Sequence, residues 1–326
     1  MEFFAQYSLF LLKTVTLVIA ILVVTAGMIA LRRKPKPKLE VTLLNEEYYR
    51  CRVELNKEIG HKKEDKKKIK QERKAAKKYP CLYILKFDGD INASQVEQLR
   101  ETITAVLSII DKKDEVLIKL ESPGGLVASY GLAASQLQRL RDRNIPLTVC
   151  IDKIAASGGY LMACVANQIV AAPFAIIGSI GVVAEFPNFY RLLKKNDVDI
   201  ELITAGEYKR TLTRFSENTE KGRKKFQEDL EKIHLAFRDH VANNREQLDI
   251  AQVATGEHWL ARDAYALKLV DALKTSDDII LDKMTSFNVV QIDLLSNESL
   301  VNRLTKPFFS KILTFFSGKF AHFGLY

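Results

Sequence analysis

The chain has 326 residues, of which 47% are hydrophobic and 27% charged, a composition typical of a folded globular protein rather than a disordered or fibrous one. Its formal net charge is +9, but residues 32–38 and 57–78 together carry +12, so the remainder is slightly acidic. This distribution excludes a basic nucleic-acid-binding body and favours a membrane surface as the partner of the basic segments.

The first predicted element is a membrane anchor. Residues 14–31 are 18 residues without a charge, which is long enough to span a bilayer. The positive cluster Arg32-Arg33-Lys34 follows this run, whereas the charges of a cleaved signal peptide precede a shorter one. We therefore predict that residues 1–38 form an uncleaved anchor with a basic flank. The positive-inside rule then predicts that the main domain faces the cytoplasm.

Residues 39–79 are polar, charge-dense and poor in aromatic side chains. This composition predicts a charged spacer, either a solvated helix or a disordered segment, without a hydrophobic core.

Residues 80–293 show strand and helix patterns in alternation, which predicts an α/β domain built on a parallel sheet. A helix-turn-helix is predicted over residues 249–271. Residues 294–326 form an amphipathic tail, which either lies on a membrane or docks onto a neighbouring subunit. The predicted strands are 81–87, 116–120, 147–151, 168–172, 200–204 and one within 279–293, and the predicted helices are 94–110, 126–140, 159–166, 189–195 and 216–247.

The four cysteines, Cys51, Cys81, Cys150 and Cys164, are widely spaced and include no C-x-x-C pair. We interpret them as reduced core residues, because two lie in apolar runs where a thiol packs as a small hydrophobe. The sequence therefore predicts no metal, and no nucleotide or organic cofactor is implied.

Two glycine-rich segments follow predicted strands and precede predicted helices: Ser122-Pro123-Gly124-Gly125 and Ala156-Ser157-Gly158-Gly159-Tyr160. Turns of this kind meet at the carboxyl edge of a parallel sheet and leave backbone N–H groups free for an anion. Each Gly-Gly pair alone is more typical of a plain turn. Together they predict an oxyanion site beside the hydroxyl of Ser157.

A nucleophilic serine needs a base. None of the five histidines stands in a context typical of catalysis. Lysine can serve when burial lowers its pKa, and Lys209, in Gly206-Glu207-Tyr208-Lys209, follows a predicted strand and turn. Spacing alone does not distinguish Lys209 from the other lysines.

These motifs, with Ile177-Gly178-Ser179-Ile180-Gly181-Val182 and residues 264–271, make the chain resemble the signal peptide peptidase A family of membrane-anchored serine peptidases, peptidase family S49. The resemblance extends over residues 80–271 and is strongest to the SohB branch. It implies a ClpP/crotonase-like fold of repeated ββα units, a homo-oligomeric ring or dome, and the bacterial inner membrane as location. Relatives tend to place the catalytic domain outside the cytoplasm, which opposes the charge rule and leaves the orientation open.

Carried over residue by residue, the resemblance implies Ser157 as nucleophile and Lys209 as general base. The oxyanion hole would comprise Gly124 or Gly125 together with Gly158. The substrates implied are signal-peptide remnants and other membrane-released or unfolded segments. Two departures bear on substrate range: residues 213–215 lack the Pro-Phe of many relatives, and Lys268 stands where a glycine is usual.

Two other functions stay open at this point. An acyl-CoA enzyme of the crotonase type needs the oxyanion donors but no serine-lysine pair. A non-catalytic membrane scaffold would keep the fold and the oligomeric state without any hydrolytic activity.

Overall fold

The computed structural model describes residues 6–8, 10–19, 38–60, 70–74 and 78–295. Contacts divide the chain into one compact unit of residues 41–293 and a second unit formed by residues 1–40 and 294–326. In the second unit, the described residues 6–8 and 10–19 are helical. Across the described residues no helix combines the length and apolar character that crossing a membrane requires. Residues 20–31 of the predicted anchor, and 296–326 of the predicted tail, lie outside the described residues.

The strands and helices alternate along the larger unit. The strands are β1 (Lys38–Leu43), β2 (Cys81–Asp88), β3 (Glu115–Glu121), β4 (Leu147–Ile151), β5 (Ile154–Ala156), β6 (Gln168–Ala171), β7 (Ile176–Gly178), β8 (His258–Leu260), β9 (Ala272–Leu273) and β10 (Asn288–Leu295). The helices are α1 (Leu44–Glu58), α2 (Val96–Leu107), α3 (Val127–Arg141), α4 (Gly158–Ala163), α5 (Tyr190–Lys195), α6 (Glu220–Asn244), α7 (Ile250–Val253), α8 (Ala261–Ala266) and α9 (Ser276–Lys283).

Among the described residues, seven strands form one sheet in the order β1-β10-β2-β3-β4-β6-β9. The pairs from β10 to β9 are all parallel. The remaining three strands form a small sheet in the order β5-β7-β8, in which β7 and β8 are antiparallel. The predicted α/β architecture with a parallel main sheet is thus confirmed.

Successive strand residues point to opposite faces, and both faces of the main sheet are covered. Tyr83 and Leu85 of β2 belong to the larger core, together with residues of α2, α3 and α4. Leu82 and Ile84 belong to a smaller core, which includes Ile280 of α9. Cys150 and Cys164 are buried as predicted, whereas Cys51 is exposed on α1, so its interpretation as a core residue was wrong.

The segment predicted to be a spacer contributes to the folded unit. Asn45, at the start of α1, is buried, and its side chain accepts a hydrogen bond from the Val289 N–H of β10 at 2.6 Å. Its amide also donates to the Phe287 carbonyl at 3.2 Å. The compact unit therefore begins at Val41, earlier than the predicted boundary at residue 80.

Helix α6 is attached to the unit near its C-terminal end. Its buried residues are Phe237 and Val241. Just beyond the helix, the buried Arg245 forms two 2.8 Å hydrogen bonds to the carboxylate of Asp271, and this bidentate pair links the end of α6 to the start of β9.

The strand predicted over residues 200–204 is absent, so that prediction was wrong. The segment runs irregularly and is exposed, with Ile203 90% accessible. Within the described part of the chain, no strand pairs with its apolar residues. The predicted helix-turn-helix over 249–271 was also wrong in part, because residues 258–260 form β8 between the two helices.

Candidate active site

The two glycine-rich turns lie side by side. One follows β3, the other follows β5, and Ser122 pairs with Ala155 in an isolated parallel bridge. The Ser122 N–H donates to the Ile154 carbonyl at 2.9 Å, and the Ala156 N–H donates to the Ser122 carbonyl at 3.0 Å. This bridge fixes the distance between the two turns.

Ser157 occupies an unusual backbone conformation between β5 and α4. Its φ is 50° and its ψ is −118°, a combination that costs on the order of 1–3 kcal/mol for a residue with a side chain. Its N–H donates to the Gly178 carbonyl of β7 at 2.8 Å. The side chain is half-buried. Strain of this kind is held by the surrounding structure and is concentrated at functional sites.

Gly124 is in contact with the turn that carries Ser157. Its φ is +92°, and a Cβ at this position would lie 2.7 Å from both the Gly158 nitrogen and the Ser157 Cβ. A Cβ at Gly125 would lie 2.1 Å from the Ile91 carbonyl oxygen. Only glycine allows the backbone at these two positions to lie this close to the Ser157 turn and to Ile91, respectively.

The backbone N–H groups of these glycines differ in their partners. The Gly124 N–H donates to the Ser122 hydroxyl at 3.1 Å. Within the part of the chain that the structure describes, the N–H groups of Gly125 and Gly158 have no hydrogen-bond acceptor. These two are therefore free to donate to a bound oxygen.

Lys209 lies apart from this arrangement, in the irregular segment before α6. It is exposed, and within the described residues its side chain forms no hydrogen bond or ion pair with Ser157. Its neighbours fasten the loop to the first turns of α6: Glu207 pairs with Lys221 at 2.5 Å, and the ammonium of Lys225 lies 5.6 Å from the Tyr208 ring centroid. The structure thus brings Ser157 and the three glycines together, but not Lys209.

Two histidines of α6, His234 and His240, are used in packing. Nε2 of His234 and of His240 lies 3.1 Å from the carbonyl oxygens of Ala254 and Leu161, respectively. Burial lowers the pKa of His240 below its ordinary value, so its ring is neutral at pH 7. These contacts agree with the packing role expected of these two residues.

Different surfaces flank the Ser122–Gly125 turn. On one side is a polar groove of about 350 Å³, lined in part by Asp88 and by the ion pair of Lys153 with Glu121. The apolar side chains of Ile91, Leu126 and Val127 are each at least half exposed beside Gly125. Among the described residues, no group of three side chains is suited to hold a metal ion.

Sequence reasoning missed two residues beneath the turns, Ser122 and Tyr130, which hydrogen bond to each other at 2.5 Å. Ser122 belongs to the glycine-rich motif but was given no role, and Tyr130 lies within the predicted helix 126–140 without having been singled out. Nothing in the spacing of these residues indicates that they meet.

Comparisons with known proteins agree with the pattern of motifs. The sequence matches Peptidase family S49 over residues 139–290 and Peptidase family S49 N-terminal over residues 2–137. It is 48% identical over 320 residues to "Probable protease SohB" of Haemophilus influenzae, covering 91% of this chain and 90% of that protein. A protein of the same name from Buchnera aphidicola is 46% identical over 305 residues, covering 87% and 100%. A solved structure of a mutant of the 1510-N membrane-bound stomatin-specific protease, in complex with a substrate peptide, is 14% identical, covers 70% of this chain and 99% of its own, and gives a TM-score of 0.47.

Proposed function

Because the chain belongs to peptidase family S49 and is of the SohB type, we propose that it is a membrane-anchored serine endopeptidase, with Ser157 as nucleophile and Lys209 as general base. The observation that carries the proposal is the strained Ser157 beside two N–H groups without acceptors in the described structure, those of Gly125 and Gly158. Such donors stabilise the charge that develops on the carbonyl oxygen during acyl transfer.

The chemistry assigned to this site has two halves. The neutral amine of Lys209 takes the proton of the Ser157 hydroxyl while Oγ adds to the peptide carbonyl. The resulting oxyanion accepts hydrogen bonds from Gly125 and Gly158. The C–N bond then breaks, and the leaving amine receives the proton from Lys209. In the second half, Lys209 deprotonates a water molecule, which adds to the carbonyl carbon of the acyl ester. The bond between that carbon and Ser157 Oγ then breaks, and Lys209 returns the proton to Oγ.

The Gly124 N–H is already bonded to Ser122, so Gly125 is the better assignment for the first oxyanion donor. We assign Gly124 the role of allowing close approach, since a Cβ there would collide with the Ser157 turn. Both glycines are thus needed, for different reasons.

The exposed position of Lys209 bears on how the pair would close. Either the loop before α6 moves, or Lys209 of one chain reaches Ser157 of a neighbouring chain in a homo-oligomer. Either route places the amine of Lys209 against the hydroxyl of the half-buried Ser157, where it can act as the base.

The substrate class proposed is an extended peptide with apolar side chains, as in signal-peptide remnants and unfolded or membrane-released segments. The exposed Ile91, Leu126 and Val127 beside Gly125 support this choice, because apolar substrate side chains would cover them. We also propose the ClpP/crotonase-like assignment of the fold and the N-terminal anchor on the bacterial inner membrane.

The test is hydrolysis of an unfolded protein and of a short apolar peptide by the detergent-purified full chain between pH 6 and 10. Ser157→Ala and Lys209→Ala are expected to lose activity, and the wild-type rate is expected to rise with pH, because only the neutral amine can accept the serine proton. Matched controls are Ser135→Ala and Lys195→Ala, both exposed and remote in sequence from the motifs.

Undiminished turnover in either mutant removes that residue from the chemistry. Saturable binding of an acyl-CoA by an active Ser157→Ala variant identifies a crotonase-type enzyme instead. If the wild type hydrolyses nothing while oligomer and cellular function persist in Ser157→Ala, the chain is a scaffold.

A further inference from the structure

A chain of hydrogen bonds runs beneath the two glycine turns. The Gly124 N–H donates to the Ser122 hydroxyl at 3.1 Å, and the Ser122 hydroxyl lies 2.5 Å from the Tyr130 hydroxyl. The Tyr130 hydroxyl in turn donates to the Asp90 carbonyl at 2.8 Å. Ser122 and Tyr130 are both 0% exposed, so water does not compete for these bonds.

The direction of the chain follows from its last member. A carbonyl oxygen can only accept, so the single proton of the Tyr130 hydroxyl is committed to Asp90. The Ser122 hydroxyl must then donate to Tyr130, which leaves its oxygen to accept from Gly124. Every donor is used once, and the Gly124 amide is held facing away from any bound substrate.

Tyr130 also supports the second turn through its ring. A Cβ at Gly158 would lie 2.4 Å from Cγ of Tyr130, so the Gly158 backbone rests directly on the ring. The hydroxyl end is equally enclosed, since a Cβ at Gly89 would lie 2.4 Å from both the Ser122 and Tyr130 hydroxyl oxygens. The Tyr130 side chain therefore contacts Gly158, which carries one assigned oxyanion donor. Through Ser122 it also holds Gly124, the residue before the other donor, Gly125.

We propose that Tyr130 and Ser122 are positioning residues for the oxyanion hole, an inference that rests on the proposed function. By holding the Gly124 amide inward, they leave the next amide, that of Gly125, turned toward Ser157. The Tyr130 ring fixes Gly158 at the same time. The pair therefore sets the separation of the two donors without touching the substrate.

The ionisation state of Tyr130 suits this task. Burial raises its pKa above the ordinary value, so the hydroxyl keeps the proton that it donates to Asp90. The hydrogen-bond chain consequently persists at pH values below this raised pKa.

The experiment removes single hydroxyl groups from the full-length, detergent-purified protein. Tyr130→Phe keeps the ring under Gly158 and deletes the bond to Ser122, and Ser122→Ala deletes the acceptor of the Gly124 amide. Tyr160→Phe is the matched control, because Tyr160 is also fully buried and donates to a backbone carbonyl, that of Leu269 at 2.9 Å. Its hydroxyl has no contact with the Ser122–Gly125 turn.

Three quantities are measured with a fluorogenic leucine-rich peptide: kcat, KM, and the inhibition constant of the corresponding peptide aldehyde. The aldehyde carbon adds Ser157 Oγ, and its oxygen then occupies the position of the oxyanion. For Tyr130→Phe and Ser122→Ala we expect kcat to fall about tenfold with KM within about twofold, and the aldehyde to bind about tenfold more weakly. Tyr160→Phe should lower the melting temperature but leave kcat and aldehyde affinity within about twofold.

An unchanged kcat in Tyr130→Phe overturns the inference, and so does an equal loss in Tyr160→Phe, which would mean general loosening of the core. If Ser122→Ala does not fold, Tyr130→Phe decides alone. A wild-type protein without aldehyde-sensitive, Ser157-dependent hydrolysis refutes the proposed function itself, and that result is recognised before any tyrosine variant is compared.

Discussion

Gly124 is the residue at which backbone freedom and close packing are both required. A Gly124→Ala substitution would place a Cβ 2.7 Å from the Gly158 nitrogen, at a φ of +92° that side chains rarely adopt. The two turns must then separate, so we expect kcat/KM to fall by about 100-fold or more, as when an oxyanion donor is lost. Steady-state kinetics with the apolar peptide checks this.

Gly131→Ala is the control for that substitution. Gly131 lies inside α3, and a Cβ there meets nothing within 4 Å. We expect the free energy of unfolding to rise by about 0.5–1 kcal/mol, because alanine loses less backbone entropy in a helix, with kcat/KM unchanged. Equal activity of Gly124→Ala and Gly131→Ala would contradict the close approach of the turns.

His240 gives the stability of the larger unit a pH dependence. Burial lowers its pKa in the folded state, so the unfolded chain binds the proton more readily. Its contribution to stability is therefore present above the unfolded pKa of about 6.5 and is lost as the pH falls through the folded pKa. Urea denaturation at pH 7.5, 6.5 and 5.5 should show the wild type losing more stability on acidification than His240→Gln. Parallel losses in the two proteins would argue against this origin.

At the level of single residues, sequence reasoning selected Ser157 and the glycines because glycine pairs after strands are visible in the chain. The structure also explains why relatives usually have glycine where this chain has Lys268. The φ of Lys268 is 62°, a conformation that favours glycine. The contact of Ser122 with Tyr130 was not predictable, since it depends on which way α3 faces after the turn.

At the level of elements, the start of α1 is held by the buried amide of Asn45 and by the packing of Leu44 against the smaller core. The Asn45 side chain accepts a hydrogen bond from the Val289 N–H and donates one to the Phe287 carbonyl. Asn45→Ala therefore leaves both backbone groups without this partner. We expect the free energy of unfolding to fall by about 2–3 kcal/mol, measured by urea denaturation.

Asn196→Ala is the matched control for Asn45. The Asn196 amide donates to the Leu192 carbonyl at 2.7 Å on the exposed end of α5, where water can replace it. We expect a change below about 0.5 kcal/mol. If Asn45→Ala is equally mild, α1 contributes little to the stability of the larger unit.

Strands β2, β3, β4 and β6 of the main sheet were predictable because they contain continuous apolar runs that are buried on both faces. Strands β1 and β9 were not predicted, since β1 is largely exposed and β9 has two residues. The small sheet was not, because β5, β7 and β8 have three residues each and are too short to show a period. This gap matters for the site, since the β7 carbonyl of Gly178 holds the Ser157 amide. The incorrect strand at 200–204 has the opposite cause: its apolar residues favour a strand, but none of the described strands pairs with it.

At the level of the whole molecule, the exposure of Lys209 predicts that activity depends on assembly if the lysine is supplied by a neighbouring chain. We expect co-expression of inactive Ser157→Ala with inactive Lys209→Ala to restore part of the activity, because mixed oligomers would contain sites with both groups intact. The measurement is peptide hydrolysis by complexes purified through two different tags. Absence of recovery in proven mixed oligomers would show that each chain closes its own pair by moving the loop.

The attachment of α6 has a mechanical consequence. The helix is buried at Phe237 and Val241 and held just beyond its end by Arg245, while Glu207 and Tyr208 bind its opposite end. The stretch from Phe237 back to Glu220 is about 25 Å long, so a tilt of about 7° at the held end displaces the other by about 3 Å. That displacement equals the length of a hydrogen bond. Lys209 lies in the segment bound to that end of α6, so we expect a small tilt of the helix to change the distance over which the lysine can reach.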